Sequence, residues 1–245
     1  MKFIGLISGG KDSVYSICKL IDKGDELVGL IYMSGKLLDS YMYQTVGMEI
    51  IKAYSDCFGV PLFEYNTNCK SINIELEYKE TENDEVEDLY NAIKNTKEKL
   101  EFQGVSSGAI LSQYQKNRVE NVCKRLSLTS LSPLWNLDQI TLLNEMIEYG
   151  IIASIVKIAS PCLSLNCINY NLKELLIYLS NSSDTKYFNY CGEGGEYETL
   201  ALDCPKFKKK IIINEYLVLQ SPEDVGKRKD VGYMKIKKFS LIDKQ

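Results

Sequence analysis

The 245-residue chain contains no histidine. No Ser-His-Asp or Cys-His nucleophile, imidazole base or histidine-ligated metal can be built from it alone. Its eight cysteines, at positions 18, 57, 69, 123, 162, 167, 191 and 204, include no Cys-x-x-Cys pair, which argues against zinc. Cys18, Cys57 and Cys123 fall on apolar helical stripes and read as core fillers. Long hydrophobic runs are also missing: none could span a bilayer, and no signal-peptide pattern precedes the first strand. The expected location is therefore cytoplasmic, with no membrane partner. An excess of positive charge is lacking too. The net charge is −4, without the basic footprint of a nucleic-acid binder, so direct nucleic-acid binding is not expected. Residues 75–101 are mostly acidic and 206–238 rich in lysine, and both read as solvated surface. What is present is ordinary: 45% apolar and 25% charged residues, enough chain for one large or two modest domains.

One short stretch is out of the ordinary. Ser8-Gly9-Gly10-Lys11-Asp12-Ser13 follows the apolar run Phe3-Ile4-Gly5-Leu6-Ile7 and precedes a segment with Val14, Ile17, Cys18 and Ile21 at helical spacing, stopped by Gly24. A strand feeding a glycine turn and a helix N-terminus makes an anion site: backbone N–H groups point outward and the helix dipole favours negative charge. Lys11 adds a positive charge, and Asp12 can hold a magnesium ion that accompanies phosphates. Gly5-x-x-x-x-Gly10-Lys11 has the spacing of a Walker A loop, but Asp12 stands where Ser or Thr would be needed. The stretch resembles instead the PP-loop, SGGxDS, of ATP pyrophosphatases, which split ATP between the α- and β-phosphates and transfer AMP to an acceptor oxygen.

Further along, residues 27–32 read as a second buried strand, its end at Tyr32 near the first loop, where a nucleotide base would sit. A helix is predicted over 46–58, stopped by Gly59, and a short strand over 61–65. Residues 72–78 alternate apolar and polar like a half-exposed strand. A charged helix follows, with Val86, Leu89, Tyr90, Ile93 and Leu100 as its buried stripe. Residues 104–111 read as another strand, and the next helix turns Val119, Val122, Cys123 and Leu126 inward. This β-α-β rhythm argues for a parallel sheet with helices on both faces. It resets near Ser127–Pro133, where a domain boundary is placed. Beyond lie a helix over 138–149 stopped by Gly150, a strand over 151–158, a helix near 172–179, a glycine-acid stretch over 191–199 and strands around 211–213 and 216–219.

Five segments together resemble the diphthine–ammonia ligase family: Ser8 to Ser13; Asp39 to Gly47; Gly104 to Asn121; Pro133-Leu134-Trp135; and Gly192-Glu193-Gly194-Gly195-Glu196-Tyr197-Glu198-Thr199. The resemblance runs over about residues 1–215, and the glycine-acid motif is its most specific part. It implies a Rossmann-like, doubly wound parallel sheet of the adenine nucleotide alpha hydrolase type with a second, smaller α/β domain. The organisation expected is a PP-loop ATP-binding domain over 1–128, an acceptor domain over 129–225 and a lysine-rich tail over 226–245. It implies ATP and Mg2+ as cofactors, ammonium as co-substrate and diphthine on translation elongation factor 2 as acceptor. The carboxylate would be adenylated, pyrophosphate would leave, and ammonia would displace AMP.

The residues suit that chemistry. Ser8, Gly9, Gly10, Lys11, Asp12 and Ser13 would hold the nucleotide, with Lys11 and the glycine backbone stabilising charge on the departing phosphates and Asp12 holding the metal. Ser106, Ser107 and Gly108 end a strand on the same edge, in position to meet ribose or the α-phosphate. Glu193, Glu196 and Glu198 would attract ammonium or the trimethylammonium of diphthine, and one of them could serve as general base; their roles are not divided by sequence. Gly194 and Gly195 shape that turn, and Tyr197 offers a cation–π face. Tyr41, Tyr43 and Gln44 could wall the pocket or pack. Tyr114 and Arg118 lie on a helix, where Arg118 could meet a phosphate or form a surface salt bridge. Trp135 reads as a packing residue at the domain junction.

The pattern departs from the family in places. Met48 stands where histidine is usual after Val46-Gly47, the loop between Tyr32 and Asp39 is short, and residues 159–172 lack the usual glycines. The C-terminal domains of larger relatives do not follow. Two other readings stay open: another PP-loop adenylating enzyme such as a tRNA-modifying ligase, and a non-catalytic nucleotide-binding regulator. The first lacks paired catalytic cysteines or a basic RNA-binding domain, and against the second stands the intact Lys11-Asp12-Ser13.

Overall fold

The computed structural model describes residues 1–35, 42, 46–67, 70–182, 187–220 and 231–244. Its strands are β1 (Lys2–Leu6), β2 (Glu26–Gly35), β3 (Leu62–Thr67), β4 (Gly104–Ser106), β5 (Thr129–Leu131), β6 (Ile152–Ile158), β7 (Tyr197–Asp203), β8 (Lys209–Gln220) and β9 (Gly232–Asp243). Its helices are α1 (Lys11–Asp22), α2 (Ala53–Phe58), α3 (Glu85–Lys97), α4 (Gln113–Arg125), α5 (Gln139–Tyr149) and α6 (Leu172–Ser180). They form two compact units. The first comprises Met1–Ser8, Asp12–Thr45 and Gly59–Asn136; the second comprises Gly9–Lys11, Val46–Phe58 and Leu137–Gln245.

The first unit is built on a five-stranded parallel sheet of order β3-β2-β1-β4-β5. The chain winds outward from β1 through β2 to β3, then returns to add β4 and β5 on the other side. That reversal makes the C-terminal ends of β1 and β4 the switch point, where open α/β sheets bind ligands. Strand alternation divides the faces. Ile4 and Val105, with Ile31, join Val86, Leu89 and Ile93 of α3 and Val119, Val122 and Cys123 of α4 in one buried cluster. On β1, Gly5 takes the other face, where a Cβ would lie 2.6 Å from Ile17 Cδ1, so the bare backbone lets α1 pack closely. Val14, Ile17 and Cys18 are fully buried there.

The second unit carries the smaller, four-stranded sheet, of order β7-β6-β9-β8, with antiparallel pairing. Leu142, Leu143 and Met146 of α5 and Leu175 of α6 are completely buried. Asp138 caps α5 by accepting from Thr141 N, and Gly150 ends it at φ 94°. Asn171 and Glu174 form a capping box on α6.

Three expectations are corrected. Residues 72–78 form no strand, because side chains take their backbone groups: Asp84 accepts from Ile72 N and Asn73 N, and Arg118 donates to Asn73 O and Glu75 O. β5, just past the boundary expected at 128, pairs in parallel with β4, and the compact units part after Asn136. The helix expected over 46–58 is a 3-10 turn at Met48–Ile50 followed by α2, and Val46–Phe58 clusters with the second unit. Tyr54 and Phe58 there meet Phe207 edge to face, with centroids 5.9 and 4.8 Å away. Finally, the lysine-rich stretch expected as a tail contains β9, which pairs along β8 and reaches β6. Met234 and Ile236 are buried between exposed lysines, an alternation that the charge conceals.

Candidate functional site

In the first unit, Ser8, Asp12 and Ser13 stand where β1 gives way to α1, at the switch point. Ser13 reaches back across it: its Oγ accepts from Ser8 N at 3.4 Å and lies 3.3 Å from Ser8 Oγ. Gly108 closes against the first turn of α1. A Cβ there would lie 2.7 Å from Ser13 N and 2.9 Å from Asp12 C, so only glycine leaves this backbone cradle open. Ser16 locks the two loops, its Oγ lying 2.8 Å from Ser106 Oγ and donating to Ser107 O at 2.7 Å. The Ser106 and Ser107 hydroxyls, expected at the nucleotide, bond Ser16 and Ser132 respectively, the latter at 3.1 Å. Tyr32, expected at the end of the second strand, is buried within β2, which continues to Gly35.

In the second unit, Gly9 to Lys11 lie along the edge of β7. Ala201 N donates to Gly9 O at 2.8 Å, and Lys11 N donates to Thr199 Oγ1 at 3.1 Å. The fully buried Tyr54 hydroxyl shares its proton between Gly9 O at 2.9 Å and Ala201 O at 2.8 Å. Burial pushes its pKa well above the ordinary phenol value. Gly9 has φ 86°, and a Cβ on it would fall 2.9 Å from Leu200 Cδ2 and 3.1 Å from Tyr54 Cε2. Gly47 covers the same leucine: its Cβ would fall within 2.3 Å of Leu200 Cδ1. Tyr54 and Leu200 thus fix Gly9 in its loop, and sequence reasoning missed both, because a tyrosine on a helical stripe and a leucine in a strand carry no local signal.

Lys11 is only 2% exposed. Its Nζ donates to Cys191 O at 2.5 Å and stands 5.2 Å from the centre of the Tyr197 ring, joining the loop lysine to the glycine-acid motif. Tyr197 in turn donates to Tyr190 O at 2.6 Å and stacks on Phe188. Gly192 and Gly195 adopt φ 78° and 80°, turning the chain into β7. Glu193 is half-buried on that turn. The Glu196 carboxylate lies over Gly194, where a Cβ would come 2.5 Å from Oε1, and it accepts from Asn189 N at 3.2 Å. Glu198 pairs with Lys157 at 2.8 Å. Strand alternation puts Glu198 on the face opposite Tyr197 and Thr199.

Arg118 and Tyr114 have a different place from the one expected. Arg118 is completely buried and forms no ion pair among the described residues. Its guanidinium lies 3.2 Å from the Tyr114 ring centre and 5.4 Å from that of Tyr78, and it donates to Asn73 O, Glu75 O and Tyr114 O. Glu120 pairs with Lys116 instead. Tyr114 and Arg118 therefore secure the 72–78 segment to α4. Tyr41, Tyr43 and Gln44 lie outside the described residues.

The donor set can be tested against a metal. Among the described residues, no group of three acids or thiols could hold an ion by itself. Magnesium carried on a nucleotide needs only one or two carboxylates besides phosphate and water, which Asp12 at the α1 N-terminus fits. Burial pushes the Cys57 and Cys123 thiols up to about 12, which leaves these two as packing groups and not metal ligands.

A parallel sheet of order 3-2-1-4-5 with a Ser-Gly-Gly-Lys-Asp-Ser loop at its switch point defines an α/β nucleotide-binding protein of the PP-loop kind. Residues 1–130 match the family model of the diphthamide synthase N-terminal domain, and residues 138–242 match that of the C-terminal domain. The chain belongs to the diphthamide synthase family. A relative from Danio rerio named diphthine–ammonia ligase is 42% identical over 251 residues, covering 100% of this chain and 98% of the relative. One from Rattus norvegicus with the same name is 46% identical, covering 100% and 94%. One from Schizosaccharomyces pombe, 44% identical, covers 97% of this chain but spans a longer protein, of which 39% aligns. A crystal structure described as a predicted subunit of tRNA methyltransferase from Methanocaldococcus jannaschii aligns at TM-score 0.41 and 19% identity, over 84% of this chain and 98% of that one. No described helix is long and apolar enough to cross a membrane.

Proposed function

We propose that this chain is a diphthine–ammonia ligase: it activates the diphthine carboxylate of translation elongation factor 2 with ATP and converts it to an amide with ammonium, releasing AMP and pyrophosphate. The observation that supports this best is the Ser8–Ser13 loop at the switch point, its lysine hydrogen-bonded to the backbone of the glycine-acid motif. Relatives matching this chain from end to end carry that enzyme's name.

A carboxylate is a poor electrophile and must first become a mixed anhydride. The N-terminus of α1 and the glycine backbone before it offer N–H donors to the departing phosphates. Preorganised donors of this kind supply the largest single share of many rate enhancements. Lys11, released from Cys191 O, would follow the charge as it develops on the β- and γ-phosphates. Asp12 would hold magnesium, which neutralises phosphate charge when bound. Gly108 leaves room beside Ser13 N for an α-phosphate oxygen. Glu193, Glu196 and Glu198 would attract the cationic co-substrate or the trimethylammonium of the acceptor, with Tyr197 contributing its ring. We place the reaction in the cytoplasm, where the elongation factor works. The test is AMP formation by the purified protein with ATP, magnesium and ammonium. It should require elongation factor 2 bearing diphthine, and release of ADP without the acceptor would contradict the proposal.

A further inference from the structure

Lys157 carries no sequence signal, yet β6 presents it directly to the glycine-acid motif. Regular pairing from Ile155 opposite Thr199 would set Val156 against Glu198; instead the register slips by one residue, and Lys157 stands opposite Glu198. A bulge of this kind re-aims a side chain, and such bulges are over-represented beside active sites. The result is an ion pair of 2.8 Å whose side chains are 20% and 23% exposed. On its other side Lys157 stands opposite Tyr233 of β9.

Glu196 and Glu198 each keep one buried carboxylate oxygen, Oε2, that has no hydrogen-bond partner among the described residues. They differ in their other oxygen. Glu198 Oε1 faces the Lys157 ammonium, whereas Glu196 Oε1 accepts from the neutral Asn189 N–H. The Glu198 carboxylate is thus already engaged by a cation, which suits a fixed anion, whereas that of Glu196 has no cationic partner among the described residues and stays open to a cationic substrate.

We infer that Lys157 is a positioning residue: it holds Glu198 as a fixed anion and leaves Glu196 as the carboxylate that takes the proton from ammonium. This rests on the ligase reading above. Ammonium gives one proton to the Glu196 carboxylate and becomes ammonia. The nitrogen lone pair forms the C–N bond to the acyl carbon, the C–O bond to AMP breaks with its electron pair, and the surplus proton on nitrogen goes to solvent. Strand alternation keeps Glu198 off the Lys11 face, so the fixed anion does not compete for the lysine that the phosphates need.

The test uses the full chain with ATP, magnesium and diphthine-bearing elongation factor 2, and compares ammonium with hydroxylamine, a nucleophile already neutral at pH 7. Glu196→Gln should lower amide formation by about 10²-fold or more, the usual loss when a general base is removed, and hydroxamate formation only a few-fold. Lys157→Met frees a second carboxylate to compete for ammonium, so amide formation should fall several-fold with hydroxamate formation little changed, and Lys157→Arg should restore it. Equal loss with both nucleophiles, or an arginine variant as impaired as the methionine one, would overturn the inference. Absence of amide from the unaltered protein with ammonium would overturn the ligase reading itself, and amide without hydroxamate would overturn the inference alone.

Discussion

The seat of Gly9 on Leu200 can be probed by adding a single methyl group. Gly9→Ala meets two costs. At φ 86° an alanine is in the left-handed region, which costs about 1–2 kcal/mol. The new Cβ also falls 2.9 Å from Leu200 Cδ2, 3.1 Å from Tyr54 Cε2 and 3.2 Å from Ile51 Cδ1, three side chains that are themselves buried. Overpacking of this kind costs about 1–3 kcal/mol more. Gly24→Ala separates the two, because Gly24 has φ 96° with nothing within 4 Å of its Cβ position and carries the backbone cost alone. Urea unfolding should therefore place Gly9→Ala about 1–3 kcal/mol below Gly24→Ala. If the loop relieves the clash by shifting off Leu200, nucleotide binding must push it back, and ATP affinity measured by calorimetry should fall about 5- to 150-fold. Equal stability of the two variants together with unchanged ATP affinity would refute the packing of the loop on Leu200 and Tyr54.

Tyr54→Phe removes a hydroxyl shared between Gly9 O and Ala201 O and should cost about 1–2 kcal/mol in urea unfolding, with a measurable loss of ATP affinity. Arg118→Met leaves the carbonyls of Asn73 and Glu75 without their donor and should destabilise the protein by about 3 kcal/mol or more; unchanged stability with lost ATP affinity would instead make Arg118 a phosphate ligand. Burial alone would raise the Glu87 pKa, but hydrogen bonds from Arg125 and Tyr78 and the Arg125 charge outweigh it, and the net shift is downward. A folded-state pKa below the unfolded one gives stabilisation that is full above the unfolded value and lost as pH falls through the folded one. The stability difference between the protein and Glu87→Gln should accordingly shrink on acidification below the carboxylate range, and a constant difference would contradict that linkage.

The strand–turn–helix geometry of the Ser8–Ser13 loop was legible because its signal is local: a strand, two glycines and a helix start are consecutive in the chain. The glycine stops at 24, 59 and 150 were legible for the same reason, and all three adopt positive φ. Long-range pairing hid the rest. Residues 72–78 alternate like a strand, but a side chain 45 positions away, Arg118, takes their carbonyls before any ladder can form. β9 was concealed by its lysines, since exposed charges on one face of a strand and buried Met234 and Ile236 on the other average to a polar stretch. Tyr54 reaches Gly9 across 45 positions and Ala201 across 147, and nothing in a helical stripe distinguishes such a tyrosine from a core residue. Lys157 depends on a one-residue slip that only the β6–β7 register reveals. The motifs thus named the chemistry, while the residues that hold them in place became visible only through tertiary contacts.

The most direct measurement is the product inventory of the purified chain supplied with ATP, magnesium, ammonium and elongation factor 2 bearing diphthine. AMP, pyrophosphate and diphthamide should appear in equal amounts, all three lost when the acceptor is omitted and when Asp12 is replaced by alanine. ADP in place of AMP, or AMP without amide, would contradict an amide-forming ligase built on this loop.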